Sequence, residues 1–203
     1  MSRRVLSLAL GLLCAAALAT AAEGPIVANP SFEADRYTKW PGTARQHGGR
    51  ITGWTWKGSV GINPVWDDPR DRAAFRHAFT DNARQPHGRQ AAFIQNIGTL
   101  SQRIPGFVKG KRYRVTYYEN ARHNNAPKRN PRLEVTLGGQ VVVSEHRVEP
   151  VEPIDIRTLP YRFVESAVFV APASGAFELV FRTTFGDRVA VLIDHIAVVE
   201  VRP

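Results

Sequence analysis

The chain of 203 residues carries 27 Lys and Arg against 18 Asp and Glu, a formal net charge of +9, and is 43% apolar. Its single cysteine, Cys14, lies in the N-terminal apolar run, so the chain beyond that run excludes disulfides, thiolate catalysis and cysteine-ligated zinc. What remains must rest on an ordinary core, with or without a bound metal, and its positive balance favours anionic surfaces such as acidic polysaccharide, cell envelope or nucleic acid.

MSRRVLSLALGLLCAAALATAAEG comes first in the chain. Two arginines, an apolar stretch too short to span a bilayer and a tail of small residues form the pattern of a secretory signal peptide over residues 1–22, cleaved before Ala22 or Glu23. Cleavage removes Arg3 and Arg4 and lowers the charge of +9 by two. Residues 23–203 contain no linker and are expected to form one domain, secreted, periplasmic or at the cell surface.

IVANPSFEAD at 26–35 reads as an opening strand, and GWTW at 53–56 as a short one that sends Trp54 or Trp56 into the core. The stretches 36–50 and 63–87 are irregular and rich in Gly, Pro, Arg and His; Trp40 and Trp66 stand in them, either as exposed stacking platforms or as loop anchors. Only 71–79 carries a helical period. Short apolar or alternating runs then predict strands over 89–97, 112–119, 132–137, 140–144, 163–170, 176–183 and 189–199. Turn chemistry separates them, in PGFVKGK at 105–111, LGGQ at 137–140, APASG at 171–175 and FGD at 185–187. A basic loop, ARHNNAPKRNP, fills 121–131, and 145–160 is irregular and repeats proline. Short strands, regular turns and almost no helix indicate an all-β, antiparallel β-sandwich.

Motifs with local catalytic spacing are missing. Six histidines, at 47, 77, 87, 123, 146 and 195, show neither HxH nor HExxH spacing, and GxSxG and phosphate-cradling glycine loops are absent. Glu119, Glu134, Glu165 and Glu178 read as surface charges on strands; an acid pair for glycoside cleavage depends on their separation in space. Asp194, inside VAVLIDHIAVVEV, is costly in an apolar strand unless paired or bound to a cation. Calcium takes carboxylates and carbonyls, and Glu33 is the second carboxylate if the two ends of the domain lie together.

The stretch KRYRVTYYENAR at 111–122 has two chemically distinct faces. Tyr113, Val115 and Tyr117 share one; Arg114, Thr116, Tyr118, Asn120 and Arg122 share the other.

NPSFE, GWTW, HGRQAAFIQNIGTLSQRIPGFVKGKRYRVTYYENAR and VLIDHIAVVEV, in this order, resemble the carbohydrate-binding modules with a galactose-binding-like jelly roll, often attached to xylanases. Similar domains stand alone in exported bacterial proteins. The resemblance runs from about residue 26 to residue 201. It implies a structural calcium on Glu33 and Asp194, and a concave sheet lined by Tyr118, Asn120 and Arg122. Gln95 and Arg182 read as neighbours on the same sheet, and Trp66 as a further candidate ligand contact. Tyrosine rings stack on the C–H faces of sugars, amides and guanidinium groups satisfy hydroxyls, and arginine grips a carboxylate, so acidic sugars suit this face. The long 63–87 and 145–160 regions depart from the pattern and stand ready to roof or replace the cleft.

The reading is therefore an exported, noncatalytic, lectin-like protein for poly- or oligosaccharide. A structural or adhesive matrix protein without a glycan ligand is the alternative, and an enzyme acting through acids in the long loops is a third. Basic clusters at 109–114 and 128–132 suit nucleic acid by charge, but export argues against that partner.

Overall fold

The computed structural model describes residues 24–37, 42–63, 85–122, 131–151, 159–185 and 189–202. The signal peptide, Trp40, Trp66, His77, His123 and the helical period at 71–79 lie outside them, as do parts of the 121–131, 145–160 and 185–187 segments. Within them are a 3₁₀ turn at Ala44–His47 and strands β1 (Thr55–Ile62), β2 (Ala92–Phe107), β3 (Arg112–Ala121), β4 (Arg132–Leu137), β5 (Gln140–Arg147), β6 (Arg162–Glu165), β7 (Phe169–Val170), β8 (Gly175–Thr183) and β9 (Ala190–Glu200). No helix among the described residues is long and apolar enough to cross a membrane.

All pairings are antiparallel, in the order β5-β4-β8-β2-β9-β3-β6, with β1 on β2 and β7 on β3. The second half of β2, from Gly98, pairs with β8, whereas its first half, Ala92 to Gln95, pairs with β9. At the change of partner Asn96 has φ of 58°. One long strand thus belongs to both layers of a sandwich, β5-β4-β8 with the end of β2 and the start of β2 with β9-β3-β6. The sequence predicts a strand ending at 97; pairing with β1 as far as Ser101 and with β8 from Gly98 onward carries it on to Phe107.

Two further boundaries differ from expectation. The strand expected at 163–170 is divided, because Ser166 Oγ accepts the Val115 N–H at 2.9 Å and so takes the place of one ladder bond. The opening segment is a set of turns rather than a strand, with Asn29 and Phe32 at φ of 47° and 63°. Asn29 stabilises it, accepting the Ala34 N–H at 3.0 Å and donating to Thr52 O at 3.0 Å. Gln102 also holds the segment through Ala28, accepting its N–H at 2.7 Å and donating to its carbonyl at 2.9 Å. Ile196 N–H donates to Pro30 O, which brings the first and last segments together as expected.

Alternation supplies the core. Leu133, Val135, Leu137, Leu179, Phe181, Leu100 and Ile104 from one layer meet Tyr113, Val115, Tyr117, Val191, Ile193, Ile196 and Val198 from the other, all buried. Tyr117 and Phe181 cross the interlayer space with ring centroids 5.1 Å apart at 84°. Each such side chain contributes about 1.5–3 kcal/mol on burial. Trp54 is the core tryptophan, packed 5.6 Å from Phe32, while Trp56 is half-buried.

Candidate functional site

Register defines the outer face of the β2-β9-β3-β6 layer. Ser59 pairs with Gln95, Gly61 with Phe93, Phe93 with Leu192, Leu192 with Asn120, and Tyr118 with both Asp194 and Phe163. Residues directly opposite across antiparallel strands point to the same side, so these side chains form one continuous surface.

The middle of that surface is packed with hydrocarbon. Phe93, Leu192 and Tyr161 are buried together, with Tyr118 against them. Tyr161 Oη donates to Gln85 Oε1 at 2.7 Å. Asn120, expected to meet a ligand, is buried; its Oδ1 accepts the Val151 N–H at 2.8 Å and its Nδ2 donates to Val151 O at 3.3 Å. Gln85, Val151 and Tyr161 therefore cover the centre, and the face that the resemblance implied to be lined for a ligand is closed there, with open margins at β6 and β1. A signal for this existed: AAFI at 91–94 and AVLI at 190–193 are uninterrupted apolar runs, the mark of strands covered on both sides.

At the β6 margin Phe163 is 51% exposed and lies 5.1 Å from the half-buried ring of Tyr118. His195 stands 6.1 Å from Tyr118 and stacks on His87 at 5.2 Å. At the β1 margin Ser59 and Gln95 are half-buried neighbours beside a pocket of about 290 Å³.

Asp194 and Glu33 converge on the 87–90 segment. Asp194 is fully buried; Oδ2 accepts the His87 N–H at 2.9 Å and Oδ1 accepts the N–H of His195 at 2.7 Å. Burial, reinforced by the charge of Glu33, pushes its carboxyl up to about 8 against these hydrogen bonds. Glu33 Oε1 accepts the N–H groups of Arg89 and Gln90, each at 2.8 Å. A side chain at Gly88 would put its Cβ 2.4 Å from the Glu33 carboxyl, so glycine is required for this approach. Ser31 Oγ is buried beside Asp194 without a well-formed hydrogen bond. Two mutually repelling carboxylates and an orphaned hydroxyl are donors that suit a hard cation. Among the described residues no three His, Cys, Asp or Glu side chains form a metal cluster.

The other expected contacts are dispersed. Arg122 is half-buried at the end of β3, its N–H donating to Ala190 O at 3.0 Å. Arg182 lies on the other layer, where it pairs with Glu134 at 2.7 Å and is not a neighbour of Tyr118. Trp66 lies outside the described residues.

Glu119 is corrected from surface charge to buried ion. Only 1% of its side chain is exposed, and it accepts from Tyr117 Oη at 3.2 Å, His146 Nε2 at 3.0 Å and the Arg162 guanidinium. Its parity with Tyr113, Val115 and Tyr117 is the signal that points it inward. Glu165 and Glu178 are exposed.

Neither a family model nor a curated protein matches the chain. Among solved structures it is similar to the tandem of two family 22 carbohydrate-binding modules of Xyn10C from Paenibacillus barcinonensis, at TM-score 0.51 and 14% identity over 91% of this chain and 48% of that one. The first of those modules alone, a xylan-binding domain, gives a TM-score of 0.49 at 14% identity, covering 85% of this chain and 92% of that one. A family 61 module in complex with β-1,4-galactotriose gives 0.48 at 14% identity, covering 82% and 99%. The likeness is one of fold, the antiparallel jelly-roll sandwich of carbohydrate-binding modules.

Proposed function

We propose that this chain is an exported, noncatalytic carbohydrate-binding protein that recognises poly- or oligosaccharide at the open margins of its roofed face. The observation that carries the reading is the ring pair at the β6 margin, Phe163 half-exposed over Tyr118, with His195 beside it. An aromatic plane flanked by polar groups stacks on one face of a sugar and satisfies its hydroxyls. Support comes also from the shared fold with carbohydrate-binding modules and, for export, from the N-terminal apolar run. The covered centre makes the ligand engage through a terminus or a short segment rather than threading across the sheet. His195 serves as the flanking polar group. Glu33 and Asp194 hold a structural calcium.

A glycan array tests the reading, run on the full chain and on Phe163→Ala and Tyr118→Ala, each with and without a chelator. Binding is expected to fall by roughly tenfold or more in either variant, as the loss of one stacked ring implies. The calcium ion should raise Tm, and Asp194→Asn should abolish that increment. No glycan bound by the folded protein, together with self-association at micromolar concentration, would overturn the proposal in favour of an adhesive protein. That second reading draws on the exposed Val141 of the edge strand β5.

A further inference from the structure

The β1 margin carries a pocket of its own, of about 290 Å³, lined by Thr43, Arg45, Gly58, Ser59 and Val60. It exists because the 3₁₀ turn is held tightly against β1. Ile62 N–H donates to Gly42 O at 3.0 Å, and Thr43 bridges to Gly61. Gly61 permits this approach, since a Cβ there would lie 2.0 Å from Gly42 O and 2.7 Å from the Phe93 ring. The register of β1 on β2 shifts between Gly58 and Ser59, and that irregularity opens the wall.

The lining has a definite chemistry. Arg45 is exposed, and among the described residues no lining side chain is acidic or aromatic. Thr43 Oγ1 donates to Gln46 Oε1 at 3.0 Å and keeps its capacity to accept, and Ser59 Oγ meets Gln95 Oε1 at 3.5 Å, a long and weak contact. Charge and hydroxyls are thus recognised here, not the apolar face of a ring. The volume is at the lower end of the ~300–1,000 Å³ range of small-molecule pockets, the scale of one monosaccharide. Buried Phe93 and Leu192 seal it from the Phe163–Tyr118 margin.

We propose that this pocket is a second, independent site that takes a single uronic acid residue, its carboxylate on the Arg45 guanidinium and its hydroxyls on Thr43, Ser59 and Gln95. The choice of a sugar acid over another carboxylate rests on the carbohydrate-binding reading above; the pocket does not depend on the Phe163–Tyr118 margin.

The test follows backbone amide shifts of the full chain by NMR during titration with glucuronic and galacturonic acids, glucose, galactose and acetate. Saturable shifts at Thr43, Arg45 and Ser59 are expected with the uronic acids, weaker by at least roughly tenfold with neutral sugars and with acetate, because each charge-assisted hydrogen bond contributes about 1.5–3 kcal/mol. Arg45→Ala, an exposed position whose unchanged spectrum verifies folding, should lose that binding by about the same factor, while Tyr118→Ala retains it. Equal affinity for neutral sugars, equal affinity for acetate, or Arg45→Ala binding as wild type overturns the proposal. Oligosaccharide binding left unchanged by Phe163→Ala, with uronate shifts intact, would sink the ring-pair site alone; oligosaccharide binding lost in Phe163→Ala, with no uronate shifts at Thr43, Arg45 and Ser59, would sink the pocket alone.

Discussion

Glu119 shows how one buried carboxylate joins the free edges of the two layers. It sits on β3, receives Arg162 from β6 in its own layer and His146 from β5 in the other, and leaves Tyr117 donating from beside it. Burial and the neighbouring carboxylate push the Tyr117 phenol far up, so it stays protonated and serves as donor. Losing both cations in Arg162→Ala with His146→Ala leaves an uncompensated buried charge and should cost about 3–5 kcal/mol. Glu119→Gln, which removes the charge but keeps one acceptor oxygen and leaves no buried ion unpaired, should cost less, about 1–3 kcal/mol. The hydrogen bond that His146 donates to Glu119 raises the His146 pKa above its ordinary 6.5, outweighing partial burial and the opposing charge of Arg162. A raised folded pKa gives stability that is full below the unfolded value and lost as pH rises through the folded one. Urea midpoints should therefore separate wild type from His146→Gln most in mild acid, with the gap closing as pH increases; a pH-independent gap would refute the protonated clasp.

At the scale of elements, β2 organises the molecule. Its change of partner at Asn96 turns one sheet into two layers, and the same bend lets β1 run beside it along both halves. The accompanying approach of the Gly42–Thr43 backbone to β1 depends on the missing side chain at Gly61. Gly61→Ala should force the 3₁₀ turn away and cost about 1–3 kcal/mol, the usual penalty of overpacking. Thermal unfolding reads the loss, and hydrogen exchange should accelerate at Ile62, whose N–H donates to Gly42. Unchanged protection there would show that the turn is held by something else.

For the whole molecule, the positive net charge, +9 for the full sequence and lower by two once residues 1–22 are removed, acts on encounter rather than on the fold. Affinity for acidic oligosaccharides should fall as NaCl rises past about 0.15 M, where the Debye length is about 8 Å, while affinity for neutral ones stays level; titration calorimetry at several salt concentrations distinguishes them. Much of the sandwich was legible beforehand because the side-chain period of a strand is local. Alternation at Tyr113, Val115 and Tyr117 identified the core face, and glycine and proline at 105–111 and 137–140 marked turns without reference to distant residues. The proximity of the chain ends was only a condition for pairing Asp194 with Glu33, and was implied by the resemblance of NPSFE and VLIDHIAVVEV to the binding modules rather than by any local period. By contrast, the state of the outer face was settled by contacts of long sequence separation. Asn120 is occupied by Val151, Tyr161 is held by Gln85, and Glu119 meets His146 from another strand. Alternation determines on which side of a strand a residue stands, but water, ligand or another segment can cover that side, and only the packing of remote segments over it decides which.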